Sequence, residues 1–287
     1  MLVTLLSGLA LGAVYAIVAV GYNIVFIASG ILNFAQAQFL MLGTFVALEA
    51  HRMAGVPFAL AIVLSIAVGA AAGGLEEVLA IRKLGRGAHA ELVTTLGAGT
   101  IISGIVLAVF GSDAQTVPYL QGLGGTTIFG ARTNWVDLII VGAAVVVAIA
   151  VDQVTRRSAL GLASRATSED RQAAQLRGVN VKWLGFGAFV VAAALVAGAG
   201  ALVGIKTFAV YSLGDDLAVK AFVALTLGGF GSYYGALFGG LAVGVLEVAA
   251  ARYFGTNWQN IAVFILLLAV LLIAPSGIFT RTRERVV

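Results

Sequence analysis

The sequence predicts an all-α, polytopic membrane protein with about eight membrane-embedded helical segments, some of them broken or re-entrant. Three observations carry this. Of 287 residues, 61% are hydrophobic and only 10% charged, and the mean hydropathy is +1.05, outside the range of soluble domains. Several runs exceed the roughly 18 apolar residues that cross a bilayer as a helix. One long polar stretch, 158–180, interrupts the apolar pattern and has no place inside a bilayer. The whole chain, 1–287, reads as a single transmembrane domain with a cytoplasmic loop at about 153–182.

The spans follow in order. The first covers 4–27, with Tyr15, Tyr22 and Asn23 as its polar points; with no basic region ahead of it, it reads as a span and not a removable signal. The second, 31–50, opens on Asn33-Phe34-Ala35-Gln36-Ala37-Gln38, three amides in six residues, and ends at His51 and Arg52. The third, 56–81, closes on Arg82, Lys83 and Arg86, and the fourth, 92–110, is entered through Thr94 and Thr95. A Gly-rich connection, 112–134, leads to Trp135, an interfacial aromatic at the mouth of the fifth span, 136–151. Trp183 marks entry to the sixth, 184–203. After a weakly charged connection, 204–220, with Asp215 and Asp216, comes 221–250, interrupted by Gly228-Gly229-Phe230-Gly231-Ser232, and then 261–274. With 37 Gly, close backbone approach is expected at small-xxx-small pairs: Gly8/Gly12, Gly69/Gly73, Gly200/Gly204, Gly235/Gly239 and Gly240/Gly244.

Lys and Arg cluster at 82–86, 156–182 and 281–285, which marks those segments as cytoplasmic and puts 112–134 and 204–220 outside. The pI near 9.6 follows from these loops and calls for no nucleic-acid partner. Parity then requires 220–250 to enter the membrane and return, and neither limb has more than about sixteen apolar residues, short of a full span. A re-entrant or broken helix turning at 228–235 is expected. Residues 1–55 carry too few charges to orient, and the favoured arrangement makes 31–50 re-entrant too, with the N-terminus inside. The two broken elements, one in each half, are where a transport pathway is expected.

Between Asp152 and Lys182 lie three of the 13 acids and six of the 17 Lys and Arg. Thr167 and Ser168 are N-cap types, Glu169 and Asp170 suit the first turn, and Gly178 suits a C′ stop. A helix of roughly ten residues, about 15 Å long, is expected there, as a solvated connector or a docking element for a soluble partner.

Catalytic signals are weak. The chain has no Cys, which removes thiolate metal sites and thiol chemistry, and no phosphate loop, HExxH or nucleophile elbow. Ionisable groups at membrane depth are scarce, with Glu247 the clearest and Glu76 and Glu77 next. A proton- or sodium-driven carrier needs such groups, so energy is expected from another subunit. Glu247 also reads as a satisfied carboxylate, Asn33, Gln36 and Gln38 as interhelical hydrogen bonders or pathway lining, and the Gly228–Gly231 cluster as packing.

A set of residues carries a family resemblance: Ser158-x-Leu160-Gly161, Arg165-Ala166, Glu169-Asp170, Ala173, Gly178-Val179-Asn180 and Ala197-Gly198-x-Gly200-x-Leu202. In order with these come Gly12-x-x-Tyr15-Ala16, Gly21-Tyr22, Gly30-Ile31-Leu32-Asn33-Phe34-Ala35, Gly228-Gly229-Phe230-Gly231-Ser232, Gly235-Ala236, Gly239-Gly240 and Ala274-Pro275-Ser276-Gly277-Ile278-Phe279. The sequence resembles the branched-chain amino acid ABC transporter permeases, the H-type subunit in particular, over almost its whole length. One departure stands out. Where the family commonly continues His-Gly-Glu after Asn-Phe-Ala, this chain has Gln36, Ala37 and Gln38.

The resemblance implies a permease subunit of an ATP-driven importer in a bacterial or archaeal inner membrane, for a small polar or amphipathic solute, chiefly branched-chain or other hydrophobic amino acids. It implies a second related permease, two cytoplasmic ATPases that hold ATP and Mg, and an external solute-binding protein, with no cofactor on this chain. Residues 167–176 would dock in an ATPase groove, oriented by Arg165, Glu169 and Asp170, with Ala173 and Ala174 as the contact face and Gly161, Ala166, Thr167 and Gly178 completing the element. Tyr15, Asn33, Gln36, Gln38, Gly228, Gly229 and Gly231 would line the pathway. The alternative is a self-contained channel or secondary carrier for a small neutral solute such as urea or a short amide.

Overall fold

The computed structural model describes residues 1–82, 88–120, 122–128, 130–274, 277 and 278. Lys83, Arg86 and the tail arginines Arg281, Arg283 and Arg285 lie outside them. Eleven helices follow in order: α1 (Leu2–Ser29), α2 (Gln36–Ala54), α3 (Phe58–Glu76, prolonged by a π-helical turn, Glu77–Ile81), α4 (Ala88–Phe110), α5 (Trp135–Arg157), α6 (Ala159–Glu169), α7 (Arg171–Leu176), α8 (Val181–Thr207), α9 (Leu213–Gly228), α10 (Tyr233–Phe254) and α11 (Trp258–Ile273). A small antiparallel hairpin, β1 (Gly125–Ile128) and β2 (Ala131–Asn134), sits between α4 and α5, pairing Gly125 with Asn134 and Thr126 with Thr133.

Six of these helices are long and apolar enough to cross a membrane. Their burial sorts them into layers. The apolar windows of α1 and α8 are 67% and 61% buried, against 28%, 22% and 28% for α3, α4 and α5. The first two form the axis and the other three turn apolar faces outward, towards lipid.

Backbone contact at small residues holds the axis together. A Cβ on Gly12 would stand 2.5 Å from the Gly240 carbonyl, one on Gly240 2.5 Å from the Ala16 nitrogen, and one on Gly8 2.7 Å from the Val245 Cα. Two of the predicted small-residue pairs, on α1 and α10, therefore face each other. Gly69 and Gly73 meet Ala193 and Ala197 of α8, Gly200 and Gly204 meet α2, and Gly235 and Gly239 meet α9. Without a hydrophobic drive between helices in lipid, such contact supplies dispersion and close carbonyl packing.

Three contacts give the helices their direction. The Arg171 guanidinium, in the polar segment, donates to the Ser29 carbonyl at the end of α1 at 3.0 Å. Gln115 and Ala209 exchange backbone hydrogen bonds at 2.9 and 2.8 Å, so the two weakly charged connections share one side. On that side the Tyr119 hydroxyl donates to the Val56 carbonyl, just beyond α2, at 2.8 Å. With the basic polar segment inside, α1 begins outside and α2 crosses outward.

Two sequence expectations are corrected by this. Residues 31–50 cross instead of re-entering, and the N-terminus lies opposite the polar segment. Too few charges flank α1 and α2 to have revealed it. Gln36 and Gln38 are tolerated in a crossing helix because they are buried among neighbouring helices and not in lipid. Residues 221–250 fall in two helices, so nine helices of 16 residues or more stand among the described residues, with α9 and α11 the shortest at 16 residues each. The limb after the turn, α10, has 22 residues, enough to span.

Candidate coupling surface and interior polar network

The polar stretch folds as two helices, not one. Ser158 leaves α5 in an extended conformation, and its Oγ accepts from the Gly161 N–H at 3.0 Å to cap α6. Gly161 lies so close to the Thr155 backbone that any Cβ would collide with it, which folds α6 back onto the end of α5. Thr167 is inside α6, buried, its hydroxyl donating to the Ala163 carbonyl at 2.9 Å, and is therefore no N-cap. The N-cap of the second helix is Asp170. At φ −151° and ψ 106° it breaks the chain, and its Oδ1 accepts from the Gln172 and Ala173 N–H groups at 2.9 and 3.0 Å. Gly178, at φ +87°, makes the expected stop after α7.

The segment is anchored at both ends. Asp152, buried near the end of α5, accepts from the Arg156 Nε at 2.6 Å and lies 3.9 Å from the Arg165 Nη2. Arg171 holds Ser29. Burial divides the remaining residues. Ala174 faces inward, 5% exposed, against the expectation that it shares the contact face with Ala173. Arg165 is turned to Asp152. The outward face includes Ala166, Glu169, Gln172 and Ala173, with Leu176 90% exposed. Leu176 was not anticipated, although an apolar residue on an otherwise polar short helix is the available signal.

The expected pathway residues are mostly interior contacts. Asn33 Nδ2 donates to Glu76 Oε2 at 2.7 Å, and Gln38 Nε2 to Asp215 Oδ1 at 2.6 Å. Gln36 is fully buried, and neither amide atom has a partner among the described residues. The Tyr15 hydroxyl donates to Glu247 Oε2 at 2.6 Å, and Lys220 Nζ donates to Glu247 Oε1 at 2.6 Å. Gly228 packs backbone to backbone on Gly235, Gly229 and Gly231 take φ +95° and +84°, and the Gly231 N–H donates to Asn23 Oδ1 at 2.8 Å. The glycine cluster is thus a tight turn pinned to α1. Four rings join the two chain breaks: Phe34 to Phe222 at 5.5 Å, Phe222 to Phe230 at 6.4 Å and Phe230 to Phe26 at 5.1 Å.

Ionisable groups within the bundle are consequently less scarce than the sequence suggests. Lys220 pairs with Glu247 and Glu76 is bound by Asn33, while the buried Gln38 reaches out to the exposed Asp215. Asp215 and Lys220 read from sequence as an outer connection, whereas they lie on α9. The missed signal was a pair of acids suited to a helix N-terminus at Asp215 and Asp216.

The family to which the chain belongs makes it a transport subunit. Residues 4–273 match the family described as the branched-chain amino acid transport system permease component, and the chain belongs to that family. It is 33% identical over 293 residues to BraD of Pseudomonas aeruginosa, a high-affinity branched-chain amino acid transport system permease protein, covering 96% of this chain and 95% of that one. It is 32% identical over 290 residues to LivH of Salmonella typhimurium, which bears the same description, covering 96% and 94%. Among solved structures, PsaBC from Streptococcus pneumoniae in complex with Fab has the same fold, with TM-score 0.52 and 12% identity over 94% of this chain and 91% of that one.

Proposed function

We propose that this chain is the permease subunit of an ATP-driven importer of branched-chain or other hydrophobic amino acids in a bacterial or archaeal inner membrane. It would work beside a second related permease, two ATPase subunits carrying ATP and Mg, and an external solute-binding protein. The observation that carries the reading is the capped, outward-facing pair α6 and α7, anchored through Arg171 to α1 and through Arg165 to α5, in a chain similar to amino-acid permeases along nearly its whole length. ATP-driven movement of the ATPases would reach the bundle through Ala166, Glu169, Gln172, Ala173 and Leu176. Gly161, Thr167, Asp170, Ala174 and Gly178 hold that face in shape.

Tyr15, Asn33, Gln36, Gln38 and the Gly228, Gly229 and Gly231 turn support the pathway from behind in this arrangement. They set the positions of α1, α2 and α9, and the partly exposed rings of Phe26 on α1, Phe222 on α9 and Phe34 and Phe230 in the two chain breaks offer an apolar surface to a hydrophobic side chain. Movement between the two chain breaks would bring the amides to the pathway.

The test is leucine uptake into vesicles holding the chain with its second permease, ATPases and binding protein. ATP-dependent uptake is expected. Uptake by the lone chain without ATP, or urea uptake with no leucine uptake, would overturn the reading.

A further inference from the structure

On the cytoplasmic side, the end of α1, the π-helical turn after α3 and the starts of α4 and α8 meet α7 around a cavity of about 490 Å³. That is the size range of small-molecule sites. Its wall mixes charge with apolar surface. Arg82 is engaged by Glu77 at 2.9 Å, but Lys182 and Glu91, which also line it, have no partner among the described residues. Arg171 uses Nη1 on the Ser29 carbonyl, while its buried Nε has no partner among the described residues. Ile31, Ile81 and Phe189 supply apolar wall.

An unpartnered buried guanidinium N–H calls for an acceptor, and a planar carboxylate suits it best. A carboxylate without a partner among the described residues, beside an apolar surface in the same cavity, calls for a cation and a hydrophobic group. We infer that this cavity binds a zwitterionic α-amino acid with an apolar side chain from the cytoplasmic side: its carboxylate on Arg171 and Lys182, its ammonium on Glu91, its side chain on Ile31, Ile81 and Phe189. This rests on the amino-acid reading above and adds a regulatory site to it. Arg171 belongs to α7 and holds Ser29, so a ligand on Arg171 bears directly on the coupling face. Accumulated amino acid would slow further import by favouring one arrangement of that face over the other.

The test uses the assembled complex in nanodiscs of neutral phosphatidylcholine. Radiolabelled leucine binding is measured without the external binding protein, and ATP hydrolysis is measured with the leucine-saturated binding protein as free leucine is raised. Arg171→Gln and Glu91→Gln should each weaken leucine binding at least about tenfold, a lost charge-assisted hydrogen bond being worth that much. Leucinol and 4-methylpentanoate, each lacking one charge, should bind as weakly. Free leucine should inhibit hydrolysis, with the half-inhibitory concentration raised at least about tenfold in Glu91→Gln, a residue outside the coupling segment. No leucine binding, binding unchanged in both variants, or displacement of leucine by added phosphatidylglycerol would overturn the inference, the last by assigning the cavity to a lipid headgroup. Leucine import that persists without variant-sensitive binding leaves the amino-acid reading intact and removes only this site, whereas absence of import removes the reading itself.

Discussion

Glu247 of α10 receives the Tyr15 hydroxyl of α1 on one carboxylate oxygen and the Lys220 ammonium of α9 on the other, each at 2.6 Å. Three helices are joined at one buried side chain, 3% exposed. Replacing Glu247 by Gln removes the charge and leaves Lys220 inside the bundle without its counter-ion, at a cost of roughly 3–5 kcal/mol. The expected outcome is a marked fall in the thermal midpoint of the purified protein. The double variant Glu247→Gln/Lys220→Met should recover most of it; a double variant no more stable than the single one would show that the charge pair is not what α9 depends on.

The close contact of α1 with α10 makes a position-specific prediction. Gly12→Val must push the Gly240 backbone away, and folded yield should collapse. Gly104→Val, in α4, meets nothing within 4 Å and should leave the yield of the chain near normal. Size-exclusion profiles of the two variants, purified alike, make the comparison.

Glu169 and Asp170 are neighbours with different work. Glu169 is exposed, while Asp170 caps α7. Glu169→Arg should leave the complex assembled yet abolish solute-stimulated ATP hydrolysis, as should Leu176→Asp. Asp170→Ala should instead loosen α7 by about 1 kcal/mol, lowering stimulation partially. Normal stimulation in both Glu169→Arg and Leu176→Asp would exclude this face as the docking surface.

The Gln38 amide donates to Asp215 at 2.6 Å. An acid at position 38 would set two carboxylates within hydrogen-bond distance, and like charges so close cannot both ionise cheaply. Gln38→Glu should therefore lower thermal stability at pH 8 more than at pH 5, where the pair can hold a proton. Gln38→Glu/Asp215→Asn should remove that pH dependence.

Much of this was legible in sequence because the membrane imposes simple rules. The small-residue pairs at Gly8/Gly12 and Gly240/Gly244 could be seen as packing sites, although not that they face each other, since partner choice depends on tertiary geometry. The basic segment showed its polar, helical character. It did not show the break at Asp170, because an Asp suits both a first turn and an N-cap, and only the backbone conformation separates the two. The direction of α1 was hidden by the lack of flanking charge. Asp215 and Lys220 were hidden for another reason: their polarity marked them as loop, whereas Gln38 and Glu247 supply the partners that let them sit on α9.

The hydrogen bond from Arg171 to the last carbonyl of α1 has a mechanical meaning. It fastens the exposed polar segment to the most enclosed of the long apolar helices, whose far end packs without slack on α10 and whose middle grips Glu247. If α7 is the docking element proposed above, its displacement would be delivered to a stiff rod some 42 Å long at 1.5 Å per residue and not absorbed in a slack loop, so a change at one face of the membrane would be felt at the other.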